Sequence, residues 1–157
     1  MSHVRFAEAA DIPALIELGR QMHVQSRYAW MLFNADRLWT YLEAAIENKQ
    51  SCVIVAGDAA APGAGLTGAL LAHALPLPFS SDFIAHIDYF YVVPKRRGSP
   101  IAMKAMAGLR RWAENREVAE IVLPNKYGMG QVYSTTFFTK LGLKVVGGVH
   151  AMWIDRK

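Results

Sequence analysis

"YVVPKRRGSPIA", Tyr91 to Ala102, is the stretch on which the fold turns. It joins a run of β-formers, IAHIDYFYVV, to a segment whose apolar residues recur at helical spacing. A proline, three consecutive cations and Gly98 lie between them. Elsewhere Lys and Arg alternate with acids, so Lys95, Arg96 and Arg97 stand apart. The first N–H groups of a helix lack internal acceptors and carry partial positive charge. A loop that bends tightly into a helix aims several of them at one point. Gly98 permits the bend, Ser99 is placed to cap the helix, and Pro100 suits its first position. The stretch reads as a phosphate cradle. The alternative is a helix start with exposed, solubilising charges. Gly-Lys-Ser/Thr is missing, so this is not a Walker A loop.

Outward from it, the chain reads as one domain of 157 residues, 53% hydrophobic and 19% charged. A strand at His3 precedes a helix with Pro13 in its first turn and Asp11 placed to cap it. A second helix runs from about Asn34 to Asn48. SCVIVAG and LTGALLAHAL read as strands, followed by IAHIDYFYVV. A helix from Pro100 to Asn115 presents Ile101, Ala105, Leu109, Trp112 and Ala113 on one stripe. EIVLP is a strand, GQVYSTTFFTKLG a short helix stopped by Gly142, and LKVVGG with VHAMWI a closing hairpin. The expected fold is α/β, in the order β-α-α-β-β-β-α-β-α-β-β.

A net charge of +4 suits an anionic cofactor or nucleic acid. No long basic stripe interleaved with exposed aromatics is present, so nucleic acid is not expected. No segment is apolar for long enough to span a bilayer, and the N-terminus lacks a signal-peptide core. No membrane partner and a cytoplasmic location are therefore expected. Cys52 is the only cysteine, which excludes an internal disulfide and reads as a small buried strand residue. His3, His23, His73, His86 and His150 are dispersed without paired ligand spacing, so no metal is expected.

HIDYFYVVPKRRGSPIA resembles motif A of the GNAT superfamily, the acyl-CoA-dependent N-acetyltransferases. Val92 and Pro94 match its strand end, and Arg97-Gly98-Ser99-Pro100-Ile101-Ala102 its Arg/Gln-x-x-Gly-x-Gly/Ala loop. FFTKLGLKVVG is similar to the family's terminal pattern of an apolar residue and Tyr before Lys-x-Gly-Phe. Two residues depart from the family. Pro100 replaces a glycine and removes one N–H donor. Phe138 stands where a tyrosine is proposed to protonate the leaving thiolate.

The resemblance implies a mixed, mostly antiparallel central sheet flanked by helices, and acetyl transfer from acetyl-CoA to a primary amine by direct attack in a ternary complex. The amine would belong to a small molecule or a peptide, and a homodimer is possible in such a family. Pantetheine amides would pair with backbone at Phe90, Tyr91 and Val92, and the pyrophosphate with N–H groups from Arg97 through Gly98, Ser99, Pro100 and Ile101 to Ala102. The attacking amine must lose a proton, and Asp88 on the motif strand is the candidate base, with His86 the other. Strand alternation places Asp88 on one face with His86 and Phe90. Tyr127, Tyr133 and Thr139 are candidates to replace the missing tyrosine. Tyr28, Trp30 and Phe33, in the connector between the first two helices, could form an aromatic wall for the amine.

Two other functions remain open on the residues. Phe138 and Pro100 leave room for a non-catalytic acyl-CoA-binding module. GAGLTG, Gly63 to Gly68, matches G-x-G-x-x-G, with Asp88 at the distance of a ribose-binding acid. A dinucleotide site there requires a helix after Gly68, and Pro76 and Pro78 leave little room for one.

Overall fold

The computed structural model describes residues 2–58, 60–63, 65–124, 126–128 and 135–155. In chain order these form β1 (His3–Phe6), α1 (Ile12–Gln25), α2 (Ala35–Glu47), β2 (Ser51–Gly57), β3 (Leu66–Pro76), β4 (Phe83–Val92), α3 (Ile101–Glu114), β5 (Glu120–Val122) and α4 (Thr135–Lys140). The sheet runs β1-β2-β3-β4-β5. Every neighbouring pair is antiparallel except β4 and β5, which the α3 crossover makes parallel.

The sheet buries both faces, which explains why β2 reads as a continuous apolar run rather than an alternating one. On one face Ile54, Leu70 and Ile87 pack against Ala105, Leu109 and Trp112 of α3, along the stripe the sequence predicts. On the other, Val53, Val55 and Leu71 meet Leu15, Leu18 and Met22 of α1 and Leu42 and Ala45 of α2. Asn34 caps α2 as expected, its Oδ1 accepting from the Arg37 N–H at 2.9 Å.

Asp11 occupies the N-cap position of α1, as expected, but its side chain accepts no bond from the first turn of that helix. Its carboxylate accepts from Arg5 at 2.7 and 2.8 Å, from the Glu8 N–H at 2.9 Å and from the Gly63 N–H at 2.9 Å. It therefore ties β1, the start of α1 and the β2–β3 loop together.

Gly68 lies inside β3, and the chain continues as strand to Pro76. A dinucleotide fingerprint needs a helix at that point, so the glycines belong to a hairpin and not to a phosphate loop.

The expected closing hairpin is also absent from the described residues. From Leu143 to Asp155 the chain forms no strand, and Val146 and Ile154 are 82% and 76% exposed. β-propensity reports packing against a neighbour rather than an intrinsic backbone preference, and no strand lies beside these residues.

Candidate active site

β4 builds the site through a break in its own pairing. Leu71 faces Tyr89 and Ala72 faces Ile87, so Asp88 is the extra residue of a β-bulge. The bulge interrupts alternation. Asp88 and Tyr89 both line a cavity against α1 and α2. Ile87 and Phe90 pack on the α3 side. The expectation that Phe90 shares a face with Asp88 is thereby overturned.

β4 also parts from β5. The pair is in register only at Ile84, Ala85 and His86. Beyond His86 no β5 residue among the described residues is in register with β4. The Val93 N–H donates to the Thr67 carbonyl of β3 at 2.9 Å. Antiparallel alternation then turns the backbone of Tyr91 toward β3, and that of Phe90 and Val92 toward the outer side of β4. The Tyr91 side chain is buried, its hydroxyl accepting from Gln25 Nε2 at 2.7 Å.

Asp88 collects donors from four directions. Tyr41 Oη of α2 donates to Oδ2 at 2.8 Å, and His73 Nε2 of β3 lies 3.1 Å from the same oxygen. His86 Nδ1 lies 3.0 Å from Oδ1, and Lys126 Nζ 3.8 Å from it. Tyr41 Oη and His73 Nε2 are 2.6 Å apart, and His73 Nδ1 sits 2.7 Å from Ser51 Oγ. Burial, reinforced by the Asp88 carboxylate, pushes the Tyr41 hydroxyl well above its ordinary value. Burial and the same charge push Tyr127 up to about 12. Both phenols keep their protons near neutrality.

Tyr41, His73 and Lys126 are the residues that sequence reasoning missed. Histidines dispersed along the chain meet because the β3–β4 register pairs His73 with His86. The bulge sets that register, and no composition signal marks it.

The loop after β4 is a short 3₁₀ turn, Pro94–Arg96, followed by Gly98 at φ +84°. Arg97 is already engaged, donating to the Val92 carbonyl and to Gln25 Oε1, each at 3.0 Å. Arg96 pairs with Asp58 at 2.5 Å. The Ser99 hydroxyl donates back to the Arg96 carbonyl at 2.6 Å, so it closes the turn and does not cap α3. The N–H groups of Arg97 and Ser99 donate to the carbonyls of Pro94 and Arg96. Pro100 has no N–H. The N–H groups of Ile101, Ala102 and Met103 have no intrahelical acceptor, and the first helical bond runs from Lys104 to the Pro100 carbonyl.

The connector does not form one wall. The Tyr28 ring meets Tyr127 edge-on at 5.9 Å and so borders the cavity. Trp30 packs on Trp153 at 5.3 Å. Phe33 sits against His23 at 5.5 Å. Phe138 packs with the α1–α2 side of the core. Of the candidate replacements for its missing hydroxyl, Tyr127 lines the cavity, and Tyr133 lies outside the described residues. Burial pushes the Cys52 thiol up to about 12, in keeping with a packing role.

Neither a family model nor a curated protein matches the chain. Solved structures do. Glucosamine-6-phosphate N-acetyltransferase from Arabidopsis thaliana superposes with a TM-score of 0.74 at 14% identity, over 99% of each chain. A predicted acetyltransferase from Clostridium acetobutylicum, solved with acetyl-CoA, gives 0.72 at 17% identity, over 100% of this chain and 96% of that one. An aminoglycoside acetyltransferase from an uncultured soil metagenomic sample, solved with sisomicin, gives 0.71 at 15% identity, over 99% and 97%. Identities this low carry the fold and nothing finer, and the fold they carry is that of the GNAT acetyltransferases.

Proposed function

We propose that the protein transfers an acetyl group from acetyl-CoA to a primary amine. The observation that carries this reading is the parting of β4 from β5 beside Asp88. It ends the β4–β5 pairing at His86 among the described residues, with the start of α3 at one end of the remaining strand and a cavity at the other. Phe90 and Val92 would hold the pantetheine amides. Gly98, Ile101 and Ala102 would face the pyrophosphate, with Arg97 fixing the turn. The neighbour solved with acetyl-CoA supports this choice of co-substrate.

From the ammonium, two protons leave the nitrogen and one goes to the sulfur, for a net release of one. Asp88 lines the cavity and takes the proton of the ammonium, directly or through a water. The free amine then attacks the thioester carbon, and the C–S bond breaks as the amide forms. The second nitrogen proton leaves as the adduct collapses and passes to the departing thiolate, relayed by water or by the Tyr127 hydroxyl that lines the cavity, in place of the hydroxyl that Phe138 lacks. The imidazoles of His73 and His86, both within 3.1 Å of Asp88, hold its carboxylate in place.

The test is calorimetric titration with CoA followed by thiol-release turnover on Asp88→Asn. Binding at about 10 μM, near 7 kcal/mol, is expected for both proteins. The variant should lose about 10²–10⁴ in kcat/KM. Absence of CoA binding would sink the reading. Binding without thiol release from any amine would instead identify the acyl-CoA-binding module that Phe138 leaves open.

A further inference from the structure

The geometry points to a small monoamine with an apolar body as the acceptor, rather than a polycation or a sugar phosphate. This rests on the acetyltransferase reading of the same site.

Size is the first observation. The cavity beside Asp88 holds about 280 Å³. That is just under the range of about 300–1,000 Å³ typical of pockets for drug-sized ligands, so a small acceptor fills it.

Lining is the second. Leu15, Leu38 and Leu42 come from the helices, and Val53, Ala69 and Leu71 from the sheet. Tyr41, Tyr89 and Tyr127 add ring surface. Gly19 also lines it, and a side chain there would collide with Leu38 at 2.6 Å. Gly19 therefore lets the Leu38 side chain of α2 sit close against α1 at the cavity wall.

Charge is the third. Among the described residues Asp88 and Lys126 are the charged ones that line the cavity, and their formal charges cancel. Asp88 already contacts Tyr41, His73, His86 and Lys126. A polycation needs several carboxylates and finds one among the described lining residues. A phosphate needs clustered cations and finds one lysine beside a carboxylate. A monoamine placing its nitrogen at Asp88 and its apolar body against the leucines satisfies every feature.

The experiment compares phenethylamine, sisomicin and glucosamine-6-phosphate as acceptors with the full chain and acetyl-CoA, by thiol release. Binding of each to the CoA-loaded protein is measured by calorimetry. Phenethylamine should exceed both others at least 100-fold in kcat/KM. Leu38→Ala removes apolar lining from a partly exposed position and should raise its KM about 10-fold with kcat nearly unchanged. Preference for sisomicin or the sugar phosphate would overturn the inference while leaving the acetyltransferase reading intact. So would CoA binding with no phenethylamine binding or turnover, or a Leu38→Ala KM that does not move. Failure to bind CoA would remove the acetyltransferase reading itself, and this inference with it.

Discussion

Tyr41 Oη and Asp88 Oδ2 are 2.8 Å apart although 47 residues separate them in the chain. The contact joins α2 to the bulge of β4. It fixes the carboxylate from the helix side while His73 and His86 fix it from the sheet. Tyr41→Phe keeps the ring and deletes the donor. The expected loss is about 0.5–1.5 kcal/mol of stability, from one ordinary hydrogen bond. Thiol-release kcat/KM should fall about 10-fold, with the pH profile displaced. An unchanged profile would show that the tyrosine does not hold Asp88 for catalysis.

Asp11 predicts a pH dependence. Its side chain is fully buried, and its carboxyl is lowered to about 2 by the Arg5 pair and the Glu8 and Gly63 N–H groups, against opposing desolvation. The folded value lies below the ordinary one of about 4. Its contribution is therefore complete above about pH 4 and is lost as pH falls toward 2. Asp11→Asn should cost about 3–5 kcal/mol at neutral pH, by leaving Arg5 unpaired. Urea titrations from pH 7 down to 3 should show the gap between the two proteins closing as pH falls. A gap constant across that range would refute the assignment.

Gly68 lets β3 lie under the start of α3. A Cβ there would stand 3.1 Å from Ile101 Cγ2 and 3.2 Å from the Tyr91 carbonyl. Gly68→Ala should destabilise by about 1–3 kcal/mol through overpacking. Because Ile101 opens α3, CoA affinity should fall with it. Thermal denaturation and calorimetry separate the two effects.

Gly98 carries the turn by backbone alone. Its φ is +84°, and a Cβ would meet nothing within 4 Å. Gly98→Ala should cost about 1–2 kcal/mol and Gly98→Asn less, since asparagine tolerates the left-handed region. Equal costs for the two would show that the turn relaxes.

Pro100 stands immediately before α3 at φ −67°. Pro100→Gly restores an N–H where the turn meets the helix. If that donor faces the pyrophosphate, CoA should bind about 10-fold tighter, from one charge-assisted hydrogen bond. Weaker binding would show that proline's fixed backbone matters more than the missing donor.

Sequence by itself determined the parts whose causes are local. Apolar period sets α1, α2 and α3. Asn34 sets the start of α2. The run from Ile84 to Val93, with Pro94 and Gly98 after it, sets the strand, the turn and the helix that follows. Asp88, His86 and the loop were legible because the strand carries them in series. Tertiary structure decided what depends on register and partners. One extra residue at Asp88 reverses the faces of β4 beyond it and carries Phe90 away from the cavity. The pairing of β3 with β4 brings His73 to Asp88, and the packing of α2 on the sheet brings Tyr41. Strand-like composition in residues 143–155 produced no strand, because β-pairing needs a neighbour that composition does not provide. Asp11 serves three segments at once for the same reason: the groups it binds lie up to 52 residues away and meet only in the fold.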